Sequence, residues 1–169
     1  MQQMIYPSRR LTLNKVPSAA ILLTLLVGLV SCQKEELRSG LSFEEIHLPD
    51  IQARKGQLSD ENILATDSTG LVLEICEILL YRTNSGRYGK MKILSIDPAD
   101  NYRLTVQAVT YQNDGTIFSE AESLEIRGTY TGDLDGMLES GPQNDFHWRR
   151  ENDTETSLDP RGSAVFAHY

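Results

Sequence analysis

Tyr102-Arg-Leu-Thr-Val-Gln-Ala-Val-Thr-Tyr111, followed at once by Gln112-Asn-Asp-Gly-Thr-Ile117, decides the fold. Apolar and polar residues alternate through the first segment. That places Tyr102, Leu104, Val106 and Ala108 on one side of an extended chain, the period-two pattern of a half-buried strand. Asn113-Asp114-Gly115 then supplies residues that accept left-handed backbone, which a tight hairpin requires. Upstream, Lys90-Met91-Lys92-Ile93 alternates in the same way, and so does Ser123-Leu124-Glu125-Ile126-Arg127 downstream. Thr83-Asn84-Ser85-Gly86 and Asp97-Pro98-Ala99-Asp100-Asn101 carry the turn residues between them. Three successive hairpin links predict an antiparallel meander.

Leu71 to Tyr81 is apolar almost throughout, so periodicity does not assign it. Its length and the turn signal after it favour a strand buried on both faces, with a helix as the alternative. Past Gly128 come Thr129-Tyr130-Thr131, an acidic glycine-containing loop from Gly132 to Asn144, then Phe146-His147-Trp148 and Ala164-Val165-Phe166. Two more short strands are expected there, the last closing the sheet against the first. Residues 71–169 thus read as a single all-β domain, a sandwich or partly open barrel of about six to eight strands.

The N-terminus has a different character. Residues 1–15 hold Arg9, Arg10 and Lys15 and no acid, and Ala19 to Val30 is apolar or small apart from Thr24. This is the charged and hydrophobic layout of a signal peptide, and the run falls short of the roughly 20 apolar residues that span a bilayer. Leu29-Val30-Ser31-Cys32 closes it and resembles a bacterial lipobox, which implies cleavage before Cys32 and acylation of its thiol. Lys34-Glu35-Glu36 resembles the lipoprotein export signal of the Bacteroidota, a lysine and two acids close to the acylated cysteine. The resemblance implies a lipid-anchored protein of the outer membrane facing the cell exterior, with the periplasmic leaflet as the alternative. Acyl chains bury methylenes at about 0.8 kcal/mol each, so the anchor holds without help from the protein. With Cys32 acylated, Cys76 has no intrachain partner and reads as a small buried hydrophobe.

Domain boundaries follow: a signal peptide at 1–31, the acylated cysteine and a polar tether at 32–70, and the β domain at 71–169. Within the tether, residues 41–48 and 63–65 are apolar enough to add an edge strand or a helical turn. The chain carries 24 acids against 16 Lys and Arg, and the three signal-peptide charges are basic, so the remainder is more acidic still. Such a balance argues against nucleic acid as a partner, which needs a basic footprint. The general plan resembles Bacteroidota surface lipoproteins of unassigned role. Gly86-Arg-Tyr-Gly-Lys-Met-Lys-Ile-Leu94 is similar to a hairpin of that phylum's heme-capturing lipoproteins, and it carries no heme ligand over.

Candidate sites are few. Asp133, Asp135 and Glu139 lie around Gly132 and Gly136, the kind of loop in which a hard cation such as Ca²⁺ gathers oxygen ligands; a solvated turn explains the same residues. Asp97, Asp100 and Asn101 allow the same two readings around Pro98. His47, His147 and His168 are the only histidines and have no metal-ligand spacing. His147, Trp148 and Arg149 form a candidate binding surface, aromatic beside cation, unless Phe146 and Trp148 turn inward to fill the core. No nucleophile motif or phosphate loop appears. The expectation is a non-catalytic binding or assembly protein without a cofactor, its ligand an extracellular glycan or protein. Its alternatives are a small surface hydrolase acting on glycans or peptides, and capture of heme or a metal.

Overall fold

The computed structural model describes residues 41–169, so Cys32 and the Lys34-Glu35-Glu36 signal lie outside the described residues. After a turn, the helix α1 (Leu48–Ala53) starts with Pro49 in its first turn and the Asp50 carboxylate on the His47 N–H at 2.9 Å. Eleven strands follow, in chain order β1 (Ile63–Asp67), β2 (Gly70–Leu71), β3 (Ile78–Arg82), β4 (Tyr88–Asp97), β5 (Arg103–Tyr111), β6 (Ile117–Ile126), β7 (Thr131–Asp133), β8 (Leu138–Glu139), β9 (Phe146–Arg150), β10 (Thr156–Pro160) and β11 (Val165–His168). They make two antiparallel sheets, one ordered β11-β3-β4-β5-β6 and the other β2-β1-β10-β9-β7-β8. The expected meander is β3 through β6, and the last strand closes against its first. The all-β sandwich is therefore as predicted. No helix among the described residues is long and apolar enough to cross a membrane.

The inner faces of both sheets form one core. Leu104, Val106 and Ala108 are buried as the alternation requires, with Leu124, Ile126, Met91 and Ile93 beside them. Across the gap stand Phe146, Trp148 and Leu158 of the second sheet, and Phe166 meets Phe146 edge to face at 6.0 Å. Gly132 makes room for this packing, because a Cβ there would lie 2.3 Å from the Phe146 ring.

Three expectations need correction. Leu71 to Tyr81 is not one strand: Leu71 belongs to a short edge strand, the chain bends, and Cys76 takes a left-handed φ of 73° before β3 begins at Ile78. The apolar run is divided because Leu71 and Val72 lie exposed at the sheet edge while Ile78 to Tyr81 are buried between layers. Secondly, residues 41–70 are not a tether. Residues 41–58 form a strap across the outer face of the meander, where Phe43, Ile46, Leu48 and Ile51 cover Ile78, Leu80 and Tyr111, and β1 joins the second sheet. A sheet with apolar side chains on both faces needs a second cover, and the apolar residues of the strap supply it. Finally, the domain has more strands than expected, since β2, β7 and β8, of two or three residues, are too short for alternation to reveal, and β1 joins it from outside residues 71–169.

Lys90 shows what the strap does to a strand residue. Alternation places it on the solvent face, yet it is 3% exposed. Its ammonium donates to the Ile46 carbonyl at 2.8 Å and to the Phe43 carbonyl, and stands 4.3 Å from the Phe43 ring centroid. Burial lowers its pKa, and the charges of Glu44 and Asp50 oppose that shift in part.

Candidate functional site

Four connections meet at one end of the sandwich: 83–87, 112–116, 134–145 and 161–164. Asn84 ties three of them together. Its side-chain carbonyl accepts from the Ser163 and Ala164 N–H groups at 2.7 and 3.1 Å, its amide donates to the Asn144 carbonyl at 2.6 Å, and its own N–H donates to Asp145 at 2.7 Å. Asp145 is fully buried and also accepts from the Leu134 N–H at 2.8 Å. Desolvation pushes its pKa up to about 6; the two backbone donors oppose this, and the charges of Asp135 and Asp133 add to it. Buried polar groups tolerate such a setting only when paired, and a fully paired network makes the surrounding loops rigid.

Asp133, Asp135 and Glu139 do not converge. Asp133 is buried and accepts from the Gly136 and Gln143 N–H groups at 2.7 and 3.0 Å, so it shapes its own loop. Glu139 turns away to Arg127, which holds its carboxyl below the usual range. Asp135 faces Ser85 and Arg87, with the guanidinium at 3.2 Å. Among the described residues no group of three or more His, Cys, Asp or Glu side chains is placed to hold a metal ion. Asp97, Asp100 and Asn101 act as turn residues: Asp97 accepts from the Ala99 N–H at 2.9 Å, Asp100 pairs with Arg103, and Asn101 takes a φ of 50°.

The candidate surface at His147, Trp148 and Arg149 is corrected. Trp148 is fully buried in the inter-sheet core, its indole N–H donating to the Tyr102 carbonyl at 2.6 Å. A strand packed on one face must send alternate side chains inward, and Phe146 and Trp148 are the large apolar pair available. His147 and Arg149 stay on the outer face, His147 bonded to Arg161 at 2.9 Å and Arg149 paired with Glu151 and Asp159. His168 pairs with Glu77, which raises its pKa.

Cys76 is buried as expected, but it is disulfide-bonded, which corrects the expectation of an unpaired residue. Its partner lies outside the described residues.

The residues that sequence reasoning missed lie above the Asn84 and Asp145 network. Arg87 is stacked 3.7 Å from the Phe118 ring centroid and bonded to Ser85 at 2.6 Å, so its guanidinium is fixed on two sides. Together with Ser85, Gly86, Gln112, Asn113 and Asp114 it lines a cleft of about 330 Å³ between the β3–β4 and β5–β6 hairpin tips. In the sequence these residues carry only turn signals, and nothing there shows that the two tips come together. A larger cleft, about 450 Å³, is lined by residues of β1 and β11 and their flanks, among them Ile63, Leu64, Val72, Phe166, Gln57 and His168.

No family model matches the chain, and neither the curated proteins nor the solved structures compared with it give a match.

Proposed function

We propose that this chain is a lipid-anchored protein of the bacterial outer membrane, facing the cell exterior, whose β domain binds an extracellular ligand without transforming it. The observation that carries the anchor is Leu29-Val30-Ser31-Cys32 at the end of a basic and then apolar leader, with Lys34-Glu35-Glu36 directly behind it. Binding without catalysis is supported by the way the buried acids are used. Asp133 and Asp145 accept from backbone N–H groups and hold loops in place, so these carboxylates serve as framework for the hairpin-tip cleft. Acylation consumes the Cys32 thiol, so lipidation and a disulfide between the chain's two cysteines exclude each other. The palmitate label distinguishes the two.

Protease treatment of intact Bacteroidota cells expressing the full chain tests the reading. Wild type is expected to be cleaved, and a variant with Lys34, Glu35 and Glu36 changed to alanine is expected to be protected. Palmitate label is expected on wild type and absent from Cys32→Ala. Protection of the wild type, or label retained without Cys32, would overturn it.

A further inference from the structure

We propose that the cleft between the two hairpin tips is a subsite for a neutral saccharide, gripped through adjacent hydroxyl groups by Arg87, Asn113 and Asp114. This rests on the reading of the β domain as a binding module and adds the ligand class and the residues.

The argument is an inventory of donors and acceptors. The Arg87 guanidinium uses one nitrogen, Nη1, for Ser85 and Asp135; Nε and Nη2 make no hydrogen bond among the described residues. These two nitrogens form the flat edge of the guanidinium, which offers parallel N–H donors at a fixed spacing. Asp114 commits Oδ1 to the Thr116 N–H and hydroxyl, at 3.0 and 2.6 Å, which lowers its pKa and keeps it ionised. Its Oδ2 has no partner among the described residues. The side-chain amides of Gln112 and Asn113 likewise make no hydrogen bond there, and each offers donors and an acceptor. Adjacent sugar hydroxyls both donate and accept, so a fixed guanidinium edge, a carboxylate oxygen and two amides around one cleft meet them group for group.

Charge selects among polar ligands. The positive charge of Arg87 is already balanced by Asp135, and Asp114 adds a negative one, so the lining repels an anion. That disfavours carboxylated sugars, phosphates and sulfates and leaves neutral hydroxylated ligands. The cleft, about 330 Å³, is of a size for one or two sugar rings. Gly86, at a φ of 87°, has no atom within 4 Å of where a Cβ would stand, so the backbone of the first tip is open to close approach. The support is rigid: Asn84 and Asp145 lock the tip that carries Arg87 from below, and Phe118 and Ser85 fix the guanidinium plane. A binding group held in place before contact loses less side-chain freedom when the ligand arrives.

The test uses the full lipidated chain purified in detergent, with mannan, dextran, galactan and arabinoxylan as neutral probes and polygalacturonate as the acidic one. Affinity gel electrophoresis is expected to show retardation by at least one neutral polysaccharide. Asn113→Ala, at an exposed turn position, is expected to weaken that retention about tenfold, the effect of losing one or two hydrogen bonds. Arg87→Lys, which keeps the charge beside Asp135 but removes the flat edge, is expected to weaken it further, with unchanged circular dichroism. Retention by polygalacturonate alone, retention by no polysaccharide, or neutral binding that survives both substitutions would overturn the assignment. Because the assay uses purified protein, those outcomes are separate from the protease and palmitate results, which can stand when the saccharide assignment falls.

Discussion

The meander sheet is covered on both faces at β3 and β4, while β6 stays largely exposed, and the two covers are made differently. On the inner face the second sheet brings Phe146, Trp148 and Leu158 against Leu104, Val106 and Met91, with the edge-to-face Phe146–Phe166 pair inside. On the outer face a strap of fewer than twenty residues brings four apolar side chains and accepts a buried lysine beneath them. The inner interface is held by area and shape. The outer one combines a smaller area with a charge-assisted contact between Lys90 and the carbonyls of Phe43 and Ile46. A long flexible side chain reaches those carbonyls at the cost of desolvating its ammonium, so the strap is held at a more selective and less stable seam.

Trp148→Ala tests the inner face and should have the largest effect. It removes a fully buried indole and leaves the Tyr102 carbonyl without its donor, a loss of about 3 to 5 kcal/mol with lowered thermal stability throughout the domain. Calorimetry on the variant checks the value, and a loss below about 1 kcal/mol would place Trp148 outside the core.

Lys90→Met tests the outer face. Methionine fills most of the same volume but leaves the Phe43 carbonyl unpaired, and Ile46 keeps only the Tyr111 hydroxyl at 3.2 Å. The expected loss is about 1 to 3 kcal/mol, the cost of orphaned buried acceptors. Hydrogen exchange should place it locally, with faster exchange in residues 43–51 and little change in β5 or β9. Uniform acceleration would mean that strap and sandwich unfold as one unit.

Asp145→Asn should have the smallest effect at neutral pH, and its pH dependence is the informative part. The folded-state pKa of Asp145 lies near 6, above the ordinary 3.8, so between these values the folded protein binds more protons than the unfolded chain. By linkage, this group's contribution to stability falls as pH rises from about 4 to about 6. The advantage of wild type over Asp145→Asn should therefore be larger at pH 4 than at pH 7, measured by denaturant unfolding at each pH. An advantage that grows with pH would mean that the two backbone donors outweigh desolvation.

Much of the sandwich was readable in the sequence because alternation, turn residues and burial act locally. Leu104, Val106 and Ala108 face inward as their spacing requires, and Gly115 turns the β5–β6 hairpin with a φ of 88°. What failed was long-range. Lys90 looks like a solvent-facing residue until residues 43–51 return over it, and the buried state of Asp145 depends on Asn84, 61 positions away in the chain. Trp148 had two readings, and the second sheet's need for a large inward side chain decided between them. The cation reading of Asp133, Asp135 and Glu139, one of two offered for that loop, rested on nearness in sequence, whereas in the fold each carboxylate has its own partner. The hairpin-tip cleft was hidden for the same reason, since Arg87 and Asn113 meet only once the meander has formed.

The cysteines give the most direct test of the central claim, that the domain is held at the membrane through Cys32. Intact and tryptic mass spectrometry of the protein extracted from membranes should show a chain beginning at Cys32 with its acyl groups attached. A chain without lipid, whose Cys76 alkylates only after reduction and whose peptide is joined to that of Cys32, would contradict it.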